Sequence, residues 1–314
     1  MIRLVGVEIR RCLARRSARA LTLLFVAAFL IAGTVVFFNS SNPGSAEMEA
    51  RLTQEEERIE ACVRGEVTPD FAEPGFSVEE IPASERENFC RFSGSEPVGD
   101  PRFHLREAQG ILEGISPFFI MIGWVMGASF MGAEWSHRTI TTTLTWESRR
   151  TLVLASKAVA TVVVIIGGAL LLQALLVVLL MPAALLRGTT NGIDVQELLT
   201  AAGRVAAAAG VGGVIGFSIA TVGRNTAAAV GVGFAYLAVL ENLIRAWKPN
   251  LSKFLLGDNA AVFVTGDSTQ LSCGFDQLSC GLEHSTLDAG GLLLIYALGL
   301  FLIALMFFTR RDVA

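Results

Sequence analysis

Residues 158–186 read AVATVVVIIGGALLLQALLVVLLMPAALL, a run without Asp, Glu, Lys or Arg that stops at Arg187. A helix rises about 1.5 Å per residue and the hydrocarbon layer is about 30 Å thick, so this run crosses a bilayer with residues to spare. Five more charge-free runs cover 20–38, 114–133, 205–223, 225–240 and 289–309. The 225–240 run reaches full length only if its helix continues past Glu241 to Ile244. Backbone amides inside lipid must be satisfied within the segment, and these runs are rich in Leu, Ala, Val and Gly without turn signals at strand-like spacing. The expected fold class is therefore an all-α membrane protein with six transmembrane helices. A chain of 314 residues that is 52% hydrophobic and 17% charged is too apolar for a soluble domain of this length.

Lys and Arg in short loops are retained on the cytoplasmic side during insertion. The leader carries Arg3, Arg10, Arg11, Arg15, Arg16 and Arg19. The second-to-third loop carries Arg138, Arg149, Arg150 and Lys157, the turn before the fifth run has Arg224, and the tail has Arg310 and Arg311. All fall on one side if both termini are cytoplasmic; the short loop assigned outside has only Arg187 and Arg204. The first apolar run is longer than a signal-peptide core and lacks a small-x-small site after it, so it reads as a retained anchor. The chain then divides into a cytoplasmic amphipathic helix (1–19), a first span (20–38), an acidic extracytoplasmic insertion (39–110) and a five-helix bundle (111–314). The bundle carries a cytoplasmic loop at 134–157 and an outer region at 241–288.

The insertion holds 16 acidic and 7 basic residues, which accounts for the net charge of −4 and argues against nucleic-acid binding. Met48, Leu52, Ile59 and Val63 share a helical face, and Ser84 with Glu87 has capping-box spacing, so two short helices are expected there. Cys62 and Cys90 lie in this loop, Cys273 and Cys280 in the last outer loop, and Cys12 alone inside. Pairings of Cys62 with Cys90 and of Cys273 with Cys280 suit an oxidising compartment; four free thiols are the alternative, because spacing does not dictate connectivity. In the leader, Ile2, Val5, Ile9 and Leu13 recur at helical spacing with arginines largely elsewhere. That pattern suits a helix in the membrane interface with anionic lipid as partner, or a plain positively charged anchor. The pairs Gly123/Gly127 and Gly212/Gly216 permit close helix packing, either within the chain or across a dimer.

After the second run come Gly132, Ala133, Glu134, Trp135, Ser136, His137, Arg138, Thr139, Ile140, the threonines 141–143, Arg149, Arg150 and Lys157. The order of a small residue, Glu, a few polar residues, a Thr-led segment, a basic pair and a Lys entering the next span resembles ABC transporter permeases of the second exporter type. Where the family pattern has Gly-Thr this chain has Arg138-Thr139, and its first outer loop is larger than in compact members. The resemblance implies that Glu134, Trp135, Arg138, Thr139, Arg149 and Arg150 belong to a coupling helix that docks on a separate ATPase subunit. It also implies six spans paired with a second copy or a related permease, an outer segment before the last span that re-enters, and residence in a bacterial plasma membrane. Leu240, Leu243, Ile244, Trp247, Leu251, Phe254 and Leu255 keep helical spacing there, with Pro249 interrupting them.

No GxxxxGK[ST] phosphate loop occurs, so ATP and Mg would be held by the partner and no cofactor by this chain. Gln173 is the evident polar residue within a span; without a mid-span charge there is no group of the kind that binds a coupling ion in secondary transporters. His104, His137 and His284 are far apart, and no catalytic or metal constellation is visible. The expectation is the membrane subunit of an ATP-driven exporter rather than an enzyme. The alternative is a membrane-anchored sensor or assembly protein whose outer domain binds a ligand.

Overall fold

A computed structural model describes residues 2–40, 44–65, 86, 90, 102–137, 139–147, 149–190, 192, 194–266 and 285–310. Among these, six helices are long and apolar enough to cross a membrane, the pattern of a multi-pass membrane protein. In chain order the elements are α1 (Ile2–Ala14), α2 (Arg16–Asn39), α3 (Ser45–Val63), β1 (Phe103–His104), α4 (Glu107–Gly114), α5 (Ser116–Ser136), α6 (Thr139–Trp146), α7 (Arg150–Arg187), β2 (Gly188–Thr189), α8 (Val195–Gly223), α9 (Thr226–Trp247), α10 (Leu256–Thr265) and α11 (Thr286–Arg310). The spanning helices are α2, α5, α7, α8, α9 and α11.

The charge-free runs locate these helices but not their ends. Helix α7 begins at Arg150, eight residues before the run at 158, and its 38 residues make a rod of about 57 Å, far longer than the hydrocarbon layer. Helix α9 does continue past Glu241, reaching Trp247 through a π-helical stretch at Ala235–Leu240. It stops where Lys248 turns extended (φ −141°, ψ 80°), as expected of the residue before Pro249. A 3₁₀ turn at Pro249–Phe254 then leads into α10.

Contacts divide the chain into two compact units. The first comprises 1–30, 107–178 and 193–314, with α8 as its most buried spanning helix. Helices α5 and α8 form its closest pair, and glycine makes that approach possible. A Cβ on Gly127 would fall on the carbonyl oxygen of Gly213, one on Gly123 on that of Ala209, and one on Gly216 on that of Trp124; at Gly212 it would meet the Ile120 oxygen at 2.7 Å. Both glycine pairs read from the sequence thus face each other within the chain, in a seam of small residues of the kind that lets helices approach in lipid. Asp194 caps α8 through Gln196 and Glu197 amides (2.8 and 3.2 Å), and Asn225 caps α9 through Ala227 (2.8 Å). Arg224 makes the turn between them in the left-handed region, φ 52°. The outward faces carry large apolar side chains, such as Leu23, Leu298 and Leu302.

The second unit comprises 31–106 and 179–192. Helix α3 is a single helix over Ser45–Val63 where a short one was expected. The second expected helix lies mostly outside the described residues, although Arg86 and Cys90 are helical. Cys62 and Cys90 form a disulfide, beside Ile59 and Val63; Cys273 and Cys280 lie outside the described residues. The all-α expectation misses one detail, a two-residue parallel pairing of β1 with β2 in which Phe103 faces Gly188. Gly188 is required there, because a Cβ would fall on the Phe103 carbonyl oxygen. Arg187 closes the end of α2 by donating to the carbonyls of Phe37 (3.1 Å) and Ser40 (3.4 Å), with its guanidinium over the Phe37 ring.

Candidate functional site

At one end of the first unit, α1, α5, α6 and α7 meet over a buried cluster of charges. The leader turns a largely polar face to the bundle. Glu8 and Cys12 are buried while Leu13 is 57% exposed, so a polar i, i+4, i+7 row of Glu8, Cys12 and Arg15 meets the bundle. Lys157, two turns into α7, is 1% exposed and sits 2.7 Å from Glu134 Oε1 and 3.0 Å from Glu8 Oε2. Arg15 lies 3.8 Å from the same Glu134 oxygen, donates to the Ser129 carbonyl at 2.8 Å, and stacks 4.7 Å from the Phe130 ring centroid. The half-exposed Arg11 donates to Glu8 at 3.1 Å.

Two buried carboxylates are therefore matched by Lys157 and Arg15, which is what makes their desolvation tolerable. Glu134 Oε2 is buried without a hydrogen-bond partner among the described residues. Burial pushes the Cys12 thiol above its ordinary value, against the lowering effect of Arg15.

Helix α6 projects beside this cluster, rooted by Thr139, whose hydroxyl donates to the Glu134 carbonyl at 3.4 Å. It ends in Trp146, 89% exposed. Between α1 and α6 runs a groove of about 810 Å³ with Leu4, Val7, Thr142 and Trp146 along its walls and the charged cluster at its base. Trp135 is wedged edge-on against Phe308 (6.2 Å) under the Arg224 guanidinium (4.6 Å).

Of the residues assigned to coupling, Glu134, Trp135 and Thr139 gather at the root of α6. Arg149 and Arg150 stand at its far end: Arg149 is exposed, and Arg150 donates to the Thr309 carbonyl at 3.5 Å. Arg138 lies outside the described residues. The carboxylate of Glu134 does not face outward as a surface charge would; it is spent on Lys157 and Arg15. Sequence reasoning missed Glu8 altogether, counted Arg15 only as a topology signal, and read Lys157 as a topology signal and as the Lys that enters the third span in the family pattern, not as the partner of Glu8 and Glu134. The available clue was that Glu8 is the lone acid in a leader with six arginines.

A second buried network lies on α9 and α10. Glu241, 3% exposed, accepts from the Gly257 amide at 2.8 Å, placing a carboxylate on the N-terminal turn of α10 where the free amides and helix dipole favour it. Arg245 bridges to Asp258 at 2.6 Å, and Asn259, fully buried, donates to the carbonyls of Lys253 and Leu255 (2.8 and 2.7 Å). These bonds clamp α10 back against α9. The sequence showed a break at Pro249 but not this clamp. Gln173 is buried in α7 and donates to the Ala202 carbonyl at 3.4 Å. Among the described residues no group of His, Cys, Asp and Glu is placed to hold a metal ion. Compared with known proteins, the chain matches no family model, no curated protein and no solved structure.

Proposed function

We propose that this chain is the membrane-spanning subunit of an ATP-driven exporter, paired with a second copy or a related permease in a bacterial plasma membrane. A separate ATPase subunit, holding ATP and Mg, docks on α6 from the cytoplasm. The observation that carries this reading is the form of α6: a short helix hung between two spanning helices, exposed at Trp146 and fastened at its root to α1, α5 and α7 through Glu134, Lys157 and Glu8. A push on α6 passes into α5 and α7 through that buried cluster without first taking up slack, because a charge network at 2.7–3.0 Å has one low-energy arrangement. The sequence order around Glu134 supports the same reading, and on it a chain without a phosphate loop leaves nucleotide binding to its partner.

The test is affinity isolation in mild detergent with identification of every bound chain, comparing wild type with a Trp146→Ala, Arg149→Glu double variant. Both residues are exposed, so folding is retained. An ATPase subunit that co-purifies with wild type and is lost from the variant supports docking. No ATPase, or one retained at wild-type yield, overturns it. Reversal of Glu134 would not discriminate, since it breaks the buried cluster itself. A second reading, a sensor whose outer domain binds a ligand, draws on the disulfide-closed second unit; deleting 42–100 while function persists would remove it.

A further inference from the structure

At mid-length of α5 and α11 the first unit contains a pocket of about 170 Å³. Its walls come from five helices: Trp124 on α5, Ile215 on α8, Tyr236 on α9, Leu256 on α10, and Tyr296 and Leu300 on α11. No charged residue lines it. The three aromatic walls each carry a polar atom, and each of those atoms is already engaged. Trp124 Nε1 donates to the Ala229 carbonyl at 3.1 Å, and the Tyr296 hydroxyl donates to the Phe254 carbonyl at 2.9 Å. The Tyr236 hydroxyl accepts from the Leu256 amide at 3.4 Å and faces the Glu241 carboxylate. What remains toward the pocket is ring faces and aliphatic carbon, so it offers a guest nothing to hydrogen-bond.

The shape is not a packing accident of regular helices. Tyr236 stands in the π-helical stretch Ala235–Leu240, a local widening that recurs at functional sites in helical proteins. Beside it Gly233 lets α9 lie directly on the Trp124 indole, since a Cβ would meet the ring at 2.6 Å. The opposite wall, Leu256, is held in place by the clamp through Gly257 and Glu241. The mouth opens on the face that carries Val232, 52% exposed, and Tyr296, 36% exposed, a face that lipid covers in a membrane-spanning helix. A guest therefore arrives from an apolar phase.

We propose that this pocket binds a small, uncharged, ring-bearing apolar molecule taken from the bilayer. The volume fits one or two fused rings, since a dry cavity of about 150 Å³ holds benzene. Offset or edge-on contact with the three aromatic walls selects a ring over a flexible chain. As a cargo site this rests on the exporter reading; as a binding site it does not, and the test reads binding alone.

The full chain in lipid nanodiscs, without nucleotide, is photolabelled with a trifluoromethylphenyl diazirine, and the labelled residues are mapped by peptide mass spectrometry. The expected result is saturable labelling at Trp124, Tyr236 and Tyr296 that excess naphthalene displaces, with unsaturable labelling at the exposed Leu298 serving as the lipid-phase background. Leu300→Trp fills the pocket and lowers the saturable labelling at least about tenfold, as expected when a hydrophobic pocket must take excess volume. Ile219→Phe narrows the same pocket from α8 and is read alongside, with monodisperse elution and unchanged Leu298 labelling as the check on folding. Labelling that follows lipid exposure alone, that naphthalene does not displace, or that a diazirine on a straight saturated acyl chain reproduces at the same residues overturns the proposal. None of these outcomes depends on an ATPase, so failure here leaves the exporter reading standing, and loss of ATPase docking leaves this site standing.

Discussion

Lys157 is the residue on which the α1 end of the bundle depends. Removing its ammonium as Lys157→Ala leaves the buried carboxylate of Glu134 to the more distant Arg15 and that of Glu8 to the half-exposed Arg11, and breaking a buried pair in this way costs about 3–5 kcal/mol in soluble proteins. The expected outcome is a lower unfolding midpoint in detergent. Neutralising both carboxylates along with the ammonium, Glu8→Gln, Glu134→Gln and Lys157→Met, leaves no buried carboxylate short of a partner and should cost less than Lys157→Ala alone. A larger loss for the triple variant would mean the charges stabilise the fold outright.

Cys12 gives the same region a second readout. At 3% exposure it should resist a soluble maleimide in the wild type and react in Lys157→Ala, where α1 loses its anchor. Its raised thiol also has a direction in pH. Above the ordinary thiol range the unfolded chain releases this proton while the folded chain retains it, so stability falls as pH rises through that range toward the folded value, and stays constant below it. Cys12→Ala should remove that part of the alkaline loss in unfolding midpoints measured from pH 8 upward. An identical alkaline slope in the variant would rule the thiol out. None of this was legible beforehand. Glu8 and Lys157 are 149 positions apart in the chain (157 − 8), and no local pattern announces a pairing made only by tertiary packing.

Among elements, the α5–α8 seam tolerates least. Gly127→Leu would drive a side chain into the Gly213 carbonyl, and since backbone cannot yield as a side chain can, the helices must part. Overpacking costs about 1–3 kcal/mol, and more where the obstacle is main chain; the check is loss of monodisperse protein, compared with Gly167→Leu on α7, where a Cβ meets nothing within 4 Å. Equal tolerance at both positions would show that the seam is loose. The glycine spacing was readable because periodicity at four residues is a property of a single helix. Which helix lay opposite was not, because close packing in lipid has no sequence partner code. The spans were legible for a similar reason: absence of charge over 20 residues reports hydrocarbon directly. It does not report helix ends, which is why α7 begins at Arg150 and α9 persists through Glu241.

For the molecule as a whole, the proposed arrangement places α6 in the cytoplasm and α3 outside. Cysteines introduced at Thr142 and Glu56, both exposed, separate these cases in a background with Cys12→Ala, Cys273→Ser and Cys280→Ser and the Cys62–Cys90 disulfide intact. In intact spheroplasts a membrane-impermeant maleimide should label the Glu56→Cys protein, and reach the Thr142→Cys protein only after permeabilisation. Labelling of both from one side would reverse the topology and remove α6 from reach of any cytoplasmic ATPase. The number of candidate spans follows from composition, whereas the acidic segment is opaque to such reading: outside the bilayer, helix, loop and ligand site draw on the same polar residues.

The glycine seam also sets an order of events at birth. Helix α5 ends at Ser136 and its companion α8 is complete only at Gly223, so 87 residues (223 − 136) are translated between them. At about 5–20 residues per second, that is an interval of about 4–17 s. Throughout it the notch in α5 that later receives α8 stands unfilled, on the spanning helix of lowest mean hydropathy, 1.4. A newborn chain in that condition depends on shelter at the insertion machinery, and a ribosome that stalls between the two helices leaves behind a half-made protein with that notch bare.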